Sequence, residues 1–572
     1  MRRTAALGVS LLLLALGRAG SAADSPALGD LSKVGTVEFP TSCSAEAQPE
    51  FVRGVALLHS FFYEEARRVF TATAAKDPSC AMAYWGIAMT WYHPIWAPPT
   101  PEDLKAGTAA VEKAEAIAKV TPRERDYIAA VAAFYRAAKD NASGAVGMSC
   151  HGPTDHGARR ASFTLAMERL HAKYPDDVEA AAFYALSRIK SSPTPAEVAN
   201  QLEAAAILEP LWKAHPNHPG VVHYLIHAYD YPSLAPKGLA AADHYASIAP
   251  WVPHALHMPS HIYTRLGMWP KSIEANTASS AAAREYASKY HPGVANYQEL
   301  HALDYLAYGY LQTAQDGKAR EVGEHLATIT RTYPDVDFAV AYAAGAIPAR
   351  LALERQAWPE AAALPPPNQH LIEKFPFDAA HVEYARALGR VRTKDLDGAR
   401  EALARMQQLH DATTDPAAAY FRRQLELQML AVKGWLAWGA GRNDEAIALL
   451  RYAADEEDAL GKHPVSPGAI LPVRELLGDL YMQLDRPADA LAAFEQSLKL
   501  NPERYRAIAG AARAAERAGK ADLARDYYAK LLQLSKPGDG TRPEITRARA
   551  FLAREGMPVV SRLATSSAPS RP

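Results

Sequence analysis

Leu476 to Pro502 reads LLGDLYMQLDRPADALAAFEQSLKLNP, and the spacing of its small, aromatic and proline residues decides the fold. Leu477, Gly478, Tyr481, Ala490, Phe494 and Pro502 sit where two antiparallel helices of one hairpin need them. A small residue at Gly478 and another at Ala490 lets the helices approach closely, Phe494 fills the space between successive hairpins, and Pro502 closes the second helix. Near the other end of the chain, Gly54, Ala66, Phe70 and Pro78 fall at the same offsets. Looser units follow the same logic at Gly434, Ala446, Leu450 and Ala453, and at Ala512, Ala524, Tyr528 and Leu531. One hairpin cannot bury its own apolar face, so stability must come from stacking neighbours into a solenoid.

The 34-residue signature resembles the tetratricopeptide repeat (TPR) family. More narrowly, RGVALLHSFFYEEA (53–66), HPGVVHYLIHAYDYP (218–232) and HALDYLAYGYLQ (301–312) resemble exported bacterial TPR proteins without an assigned activity. The resemblance implies a helical scaffold that binds protein or peptide in its groove, and it supplies no catalytic residues. The expected fold is therefore all-α, a TPR-like helical-hairpin solenoid forming a right-handed superhelix with loop insertions. Those insertions are read at Tyr92–Pro101, Lys139–Gly157, Pro210–Gly220, Tyr231–Gly238, Pro365–Gln369 and Gly461–Pro472. The expected division is a signal peptide (1–23), N-terminal hairpins (24–140), a Gly-rich loop (141–160), a degenerate central solenoid with a histidine cluster (161–425), C-terminal units (426–556) and a disordered tail (557–572).

Composition excludes several functions. The 572 residues carry 62 Lys and Arg against 63 Asp and Glu, with 49% hydrophobic residues, which argues against disorder and against a nucleic-acid footprint. Arg2 and Arg3 precede an apolar run from Ala5 to Gly17, and Ser21, Ala22 and Ala23 offer a cleavage site, the pattern of a secretory signal. The mature chain is expected in the periplasm or outside the cell, without a membrane span. No CxxCH, HExxH, GxSxG or GxxxxGK motif is present, so the sequence commits to no reaction.

Histidine carries the sharpest signal. Eight of the 20 histidines fall between His215 and His261. His223 and His227 are four apart, as are His257 and His261, and 34 residues separate each member of one pair from its counterpart in the other. Residues four apart share one helix face, and equivalent positions of successive hairpins stack side by side. Four imidazoles are thus expected to converge on the concave wall, where a transition metal such as zinc, copper or iron is the chemical reading and helix packing the structural one. Tyr229, Asp230, His254, Tyr263, Glu299, His301 and Asp304 are expected to line the same wall. The leading expectation is a protein or peptide partner held in that groove, with a metalloprotein, as hydrolase or oxygenase, the alternative.

Cys43 and Cys80 each precede the first helix of neighbouring hairpins and can form a disulfide in an oxidising compartment. Cys150, with His151 and His156, would then stand apart in the Gly-rich loop. His59 and His93, also 34 apart, fit turn residues at helix ends, and the run Tyr84, Trp85, Trp91, Tyr92, Trp96 fits core.

Overall fold

The computed structural model describes residues 31–95, 98–141, 154–190, 197–335, 337–372, 374–415 and 418–555. The signal segment, the tail after Met557, and Cys150 and His151 lie outside the described residues. Within them the fold is the expected all-α, TPR-like solenoid of helical hairpins. Strand occurs among the described residues only where Ala295–Asn296 pairs in parallel with Thr332–Tyr333, two loops meeting between hairpins.

The hairpin logic read from spacing is visible in atoms. Gln48–His59 packs on Tyr63–Lys76, and Phe70 fills the gap so closely that a Cβ added at Gly54 or at Gly86 would lie 2.6 Å from its ring. Phe494 does the same between Gly478 and Gly510, with added Cβ atoms at 2.8 and 2.5 Å. Asp77 ends the second helix one residue before Pro78, and Asn501 one residue before Pro502, because neither proline can extend it. Trp85 and Tyr92 are core, as their helical spacing suggests. Pro210 departs from expectation, since it lies within the helix Val198–Ala214. It faces solvent there, where water can satisfy the carbonyl that its missing N–H leaves free.

The larger departure is that the superhelix has no open interior at the histidine wall. Segments from the last third of the chain reach across to the middle. Trp269 Nε1 donates to Glu503 O at 2.7 Å, Tyr305 Oη donates to Pro464 O at 2.7 Å, and the buried Arg504 donates to Tyr308 Oη at 2.7 Å while pairing with Glu354 and Glu475. Arg542 closes on Asp316 in the same way. At the N-terminal end Cys43 is bonded to Cys80, joining the starts of two neighbouring hairpins.

Candidate metal centre

His223 and His227 project from the helix Pro219–Tyr229, which starts at Pro219 because proline loses nothing at a first helical position. His254 and His257 lie on the short helix Pro253–His257, and His261 on Pro259–Arg265. Pro259 divides these two helices, yet Met258 keeps helical angles (φ −53°, ψ −38°), so His257 and His261 still face each other. His301 comes from the helix Tyr297–Gln312.

These six rings form two groups rather than one. His223, His227 and His254 bring one nitrogen each within 4.8 Å of one another, and so do His257, His261 and His301. His223, His227, His257 and His261, expected around one point, are thus divided between two adjacent three-histidine groups, with His227 and His261 ring centroids 6.3 Å apart. Each i, i+4 pair closes on itself and takes its third member from a neighbouring helix. In the first centre His223 Nε2 lies 3.1 Å from His227 Nε2 and 3.2 Å from His254 Nε2. In the second, His257 Nε2 lies 2.9 Å from His261 Nε2.

Hydrogen bonds on the far side of the rings fix the tautomers. Asn276 donates its amide to Ser272 O at 2.7 Å, which turns its oxygen toward His257, and His257 Nδ1 donates to that oxygen at 2.6 Å. His261 Nδ1 donates to the Asp230 carboxylate at 2.9 Å, and His223 Nδ1 donates to the His59 carbonyl at 2.6 Å. A neutral imidazole that carries its proton on Nδ1 has only a lone pair at Nε2. His257 and His261 thus point two lone pairs at each other across 2.9 Å. Protonation is a poor remedy, because burial, reinforced by the neighbouring imidazoles, holds His223, His254 and His257 well below the ordinary histidine value and brings His227 down to about 3.

Asp230 anchors the second centre from outside. Arg265 Nε meets one of its oxygens at 2.8 Å, Lys462 Nζ lies 3.7 Å away, and His261 takes the other oxygen. Burial works to raise its carboxyl, but Lys462 and Arg265 outweigh it and hold it well below the usual carboxylate range. Lys462 was not among the residues singled out by sequence; it sits in an irregular connection whose contact with Asp230 spans more than 200 residues.

The remaining residues expected on the wall fall elsewhere. Tyr229 donates to Glu209 and Tyr263 to Asp243, two equivalent tyrosine–carboxylate pairs one repeat apart that brace hairpins. Glu299 meets His325 at 2.7 Å, and Asp304 pairs with the buried Arg350. Tyr229, Asp230, His254, Tyr263, Glu299, His301 and Asp304 are all buried. Residues 464, 503 and 504 contact Tyr305, Trp269 and Tyr308 close by.

A third cluster, His59, Glu179 and His218, has a different chemistry. His218 Nδ1 accepts from Val221 N, so its Nε2 donates to one Glu179 oxygen at 2.9 Å, while His59 Nε2 meets the other at 2.6 Å. Each oxygen faces a ring nitrogen and no pair of lone pairs is opposed. It is a hydrogen-bonded pin between hairpins. His93 ends the helix Ala81–Tyr92 in the left-handed conformation.

Residues 476–539 match the family model described as tetratricopeptide repeat. No curated protein matches it. Among solved structures it is similar to a tetratricopeptide repeat protein from Parabacteroides merdae ATCC 43184, at 14% identity and a TM-score of 0.28 over 53% of this chain and 97% of that one. It is also similar to the APC/C hetero-tetramer Cut9–Hcn1, at 10% identity and a TM-score of 0.30 over 88% of this chain and 84% of that one.

Proposed function

We propose that this chain is an exported metalloprotein, a tetratricopeptide solenoid closed around two adjacent centres that each bind one transition-metal ion through three histidines. The observation that carries the reading is the pair of Nε2 atoms of His257 and His261, facing each other 2.9 Å apart and buried, with both Nδ1 atoms committed as donors on the far side. Nitrogens so placed call for a cation between them, a proton on one ring or a metal ion, and burial disfavours the proton. Tetrahedral coordination with bonds of about 2.0 Å sets neighbouring ligand nitrogens roughly 3.3 Å apart, close to the 2.9 to 3.2 Å found in both centres. Histidines that bind metal habitually donate their other ring N–H to a carboxylate or carbonyl, the pattern made by Asp230, Asn276 and the His59 carbonyl. Of zinc, copper and iron, an all-imidazole set favours zinc and copper, since non-haem iron usually takes a carboxylate as well.

Three protein ligands leave a coordination position for an outside molecule, the feature that separates reactive from purely structural sites. The apolar run with its cleavage pattern and the Cys43–Cys80 bond both support an oxidising compartment. Tetratricopeptide arrays generally bind proteins. In this chain a partner would meet outer helix faces, because the histidine wall is internal, and no helix among the described residues is long and apolar enough to cross a membrane.

Element analysis of the mature protein after incubation with zinc or copper tests the reading. We expect two ions per chain, one after changing His223, His227 and His254 to Ala, one after the same change at His257, His261 and His301, and none with all six changed. Protein that folds and takes up neither metal would overturn it.

A further inference from the structure

Beside Arg265 and Lys462, the two cations that face Asp230, a cleft is lined by these two residues and by Gln424, Tyr342, Tyr420 and Glu457. The metal reading does not use it. Its polar groups are left short of partners. Arg265 spends Nε and Nη2 on Asp230, and Nη1 makes no hydrogen bond with a described residue. Lys462 has three donors to place, but its nearest acceptors are Ser466 O at 3.3 Å and the Asp230 carboxylate at 3.7 Å. Gln424 is only 6% exposed, lines the cleft, and has no hydrogen bond to any described residue.

Charge tells what would complete them. Two cations face one carboxylate, Asp230, and Asp458 at the rim is already paired with Arg474. Burial raises the Glu457 carboxyl to about 8, so that group is largely neutral near pH 7 and offers an O–H rather than a negative charge. Burial, then the neighbouring Arg265, brings the Lys462 amine down to about 7, so near pH 7 the cleft holds at most one positive charge beyond what Asp230 balances. A monoanion would match that charge and draw Lys462 toward its protonated form; a phosphate dianion would overshoot. A lining that combines the donors Arg265, Lys462 and Gln424 with the rings of Tyr342 and Tyr420 suits a planar anionic head on a small apolar body.

We propose that this cleft binds a small organic carboxylate, its oxygens held between Lys462, the free Nη1 of Arg265 and the amide of Gln424. The site stands on its own donors and does not require a metal in either histidine centre. Because Asp230 shares Lys462 and Arg265 with the incoming anion and also holds His261, the ligand sits one carboxylate away from the second centre.

Calorimetric titration of the full mature chain with benzoate, and with benzamide as its neutral analogue, tests the proposal. We expect saturable binding of benzoate, at least tenfold weaker binding of benzamide, and a loss of tenfold or more in Lys462→Met and in Gln424→Leu, both checked for unchanged melting. Gln424→Leu removes an amide with no partner, so it keeps the test valid should Lys462→Met not fold. Equal binding of benzamide and benzoate, no binding of benzoate to the unaltered chain, or full affinity in the folded variants would overturn it. Metal content measured on the same samples separates the two readings: benzoate binding in a chain that takes up no metal supports the cleft and removes the centres.

Discussion

A buried imidazole keeps its neutral form only while the protein stays folded around it, and this chain has several besides the two centres. His381 and His463 are each brought down to about 3, by burial first and then by Arg350 and Lys462 respectively, against an ordinary value of 6.5. The unfolded chain takes up a proton at each below pH 6.5, while the native state does not until about pH 3. Their contribution to stability is thus complete above pH 6.5 and is lost as the pH falls toward 3, at up to about 1.4 kcal/mol per pH unit for each group. Melting temperature measured from pH 7.5 to 4.5 should fall steadily below pH 6.5, and His381→Gln should flatten the slope. At this scale the sequence was legible where it was periodic. His223 and His257, and His227 and His261, announce themselves by their 34-residue register. His254 and His301 break that register, so their place beside the two pairs could be suspected only as nearby donors, and Asn276 carries no mark at all.

Elements were the most readable level, because a hairpin is made of contacts a few residues apart. Gly478, Ala490, Phe494 and Pro502 each do what their spacing implied, and the ring of Phe494 reaches both its own hairpin and the next through Gly510. Phe494→Ala should therefore weaken two units at once and cost about 3 to 5 kcal/mol, measured by denaturant unfolding. A cost under about 1 kcal/mol would mean that Phe494 does not couple the hairpins. Connections were harder to read. Gly461–Pro472 shows as a run of helix breakers in the sequence, and nothing local says that Lys462 reaches Asp230 or that Pro464 accepts from Tyr305. Pro210 misled for the opposite reason, since a solvent-facing position forgives a proline that an interior one would not.

The whole molecule departs furthest from what spacing foretold. An open groove is the simplest consequence of stacked hairpins, and here the last third of the chain occupies it. Arg504 is central to that closure, fully buried between Glu354, Glu475 and Tyr308. Arg504→Met would leave the buried Glu354 without its cation and Glu475 with only Arg506 at 3.5 Å, at a cost of about 3 to 5 kcal/mol. Equilibrium unfolding should show that loss, and a variant as stable as the parent would mean the closure does not depend on this pair. The histidines were easy to find in sequence and their surroundings were not, because closure rests largely on contacts between residues 150 or more positions apart. Closure also governs traffic. An ion seated on His257 and His261 would exchange with solvent only when residues 462 to 504 swing clear, so its residence time would follow the opening of the coil rather than the strength of its bonds. A chelator would then strip the centres no faster than the molecule breathes.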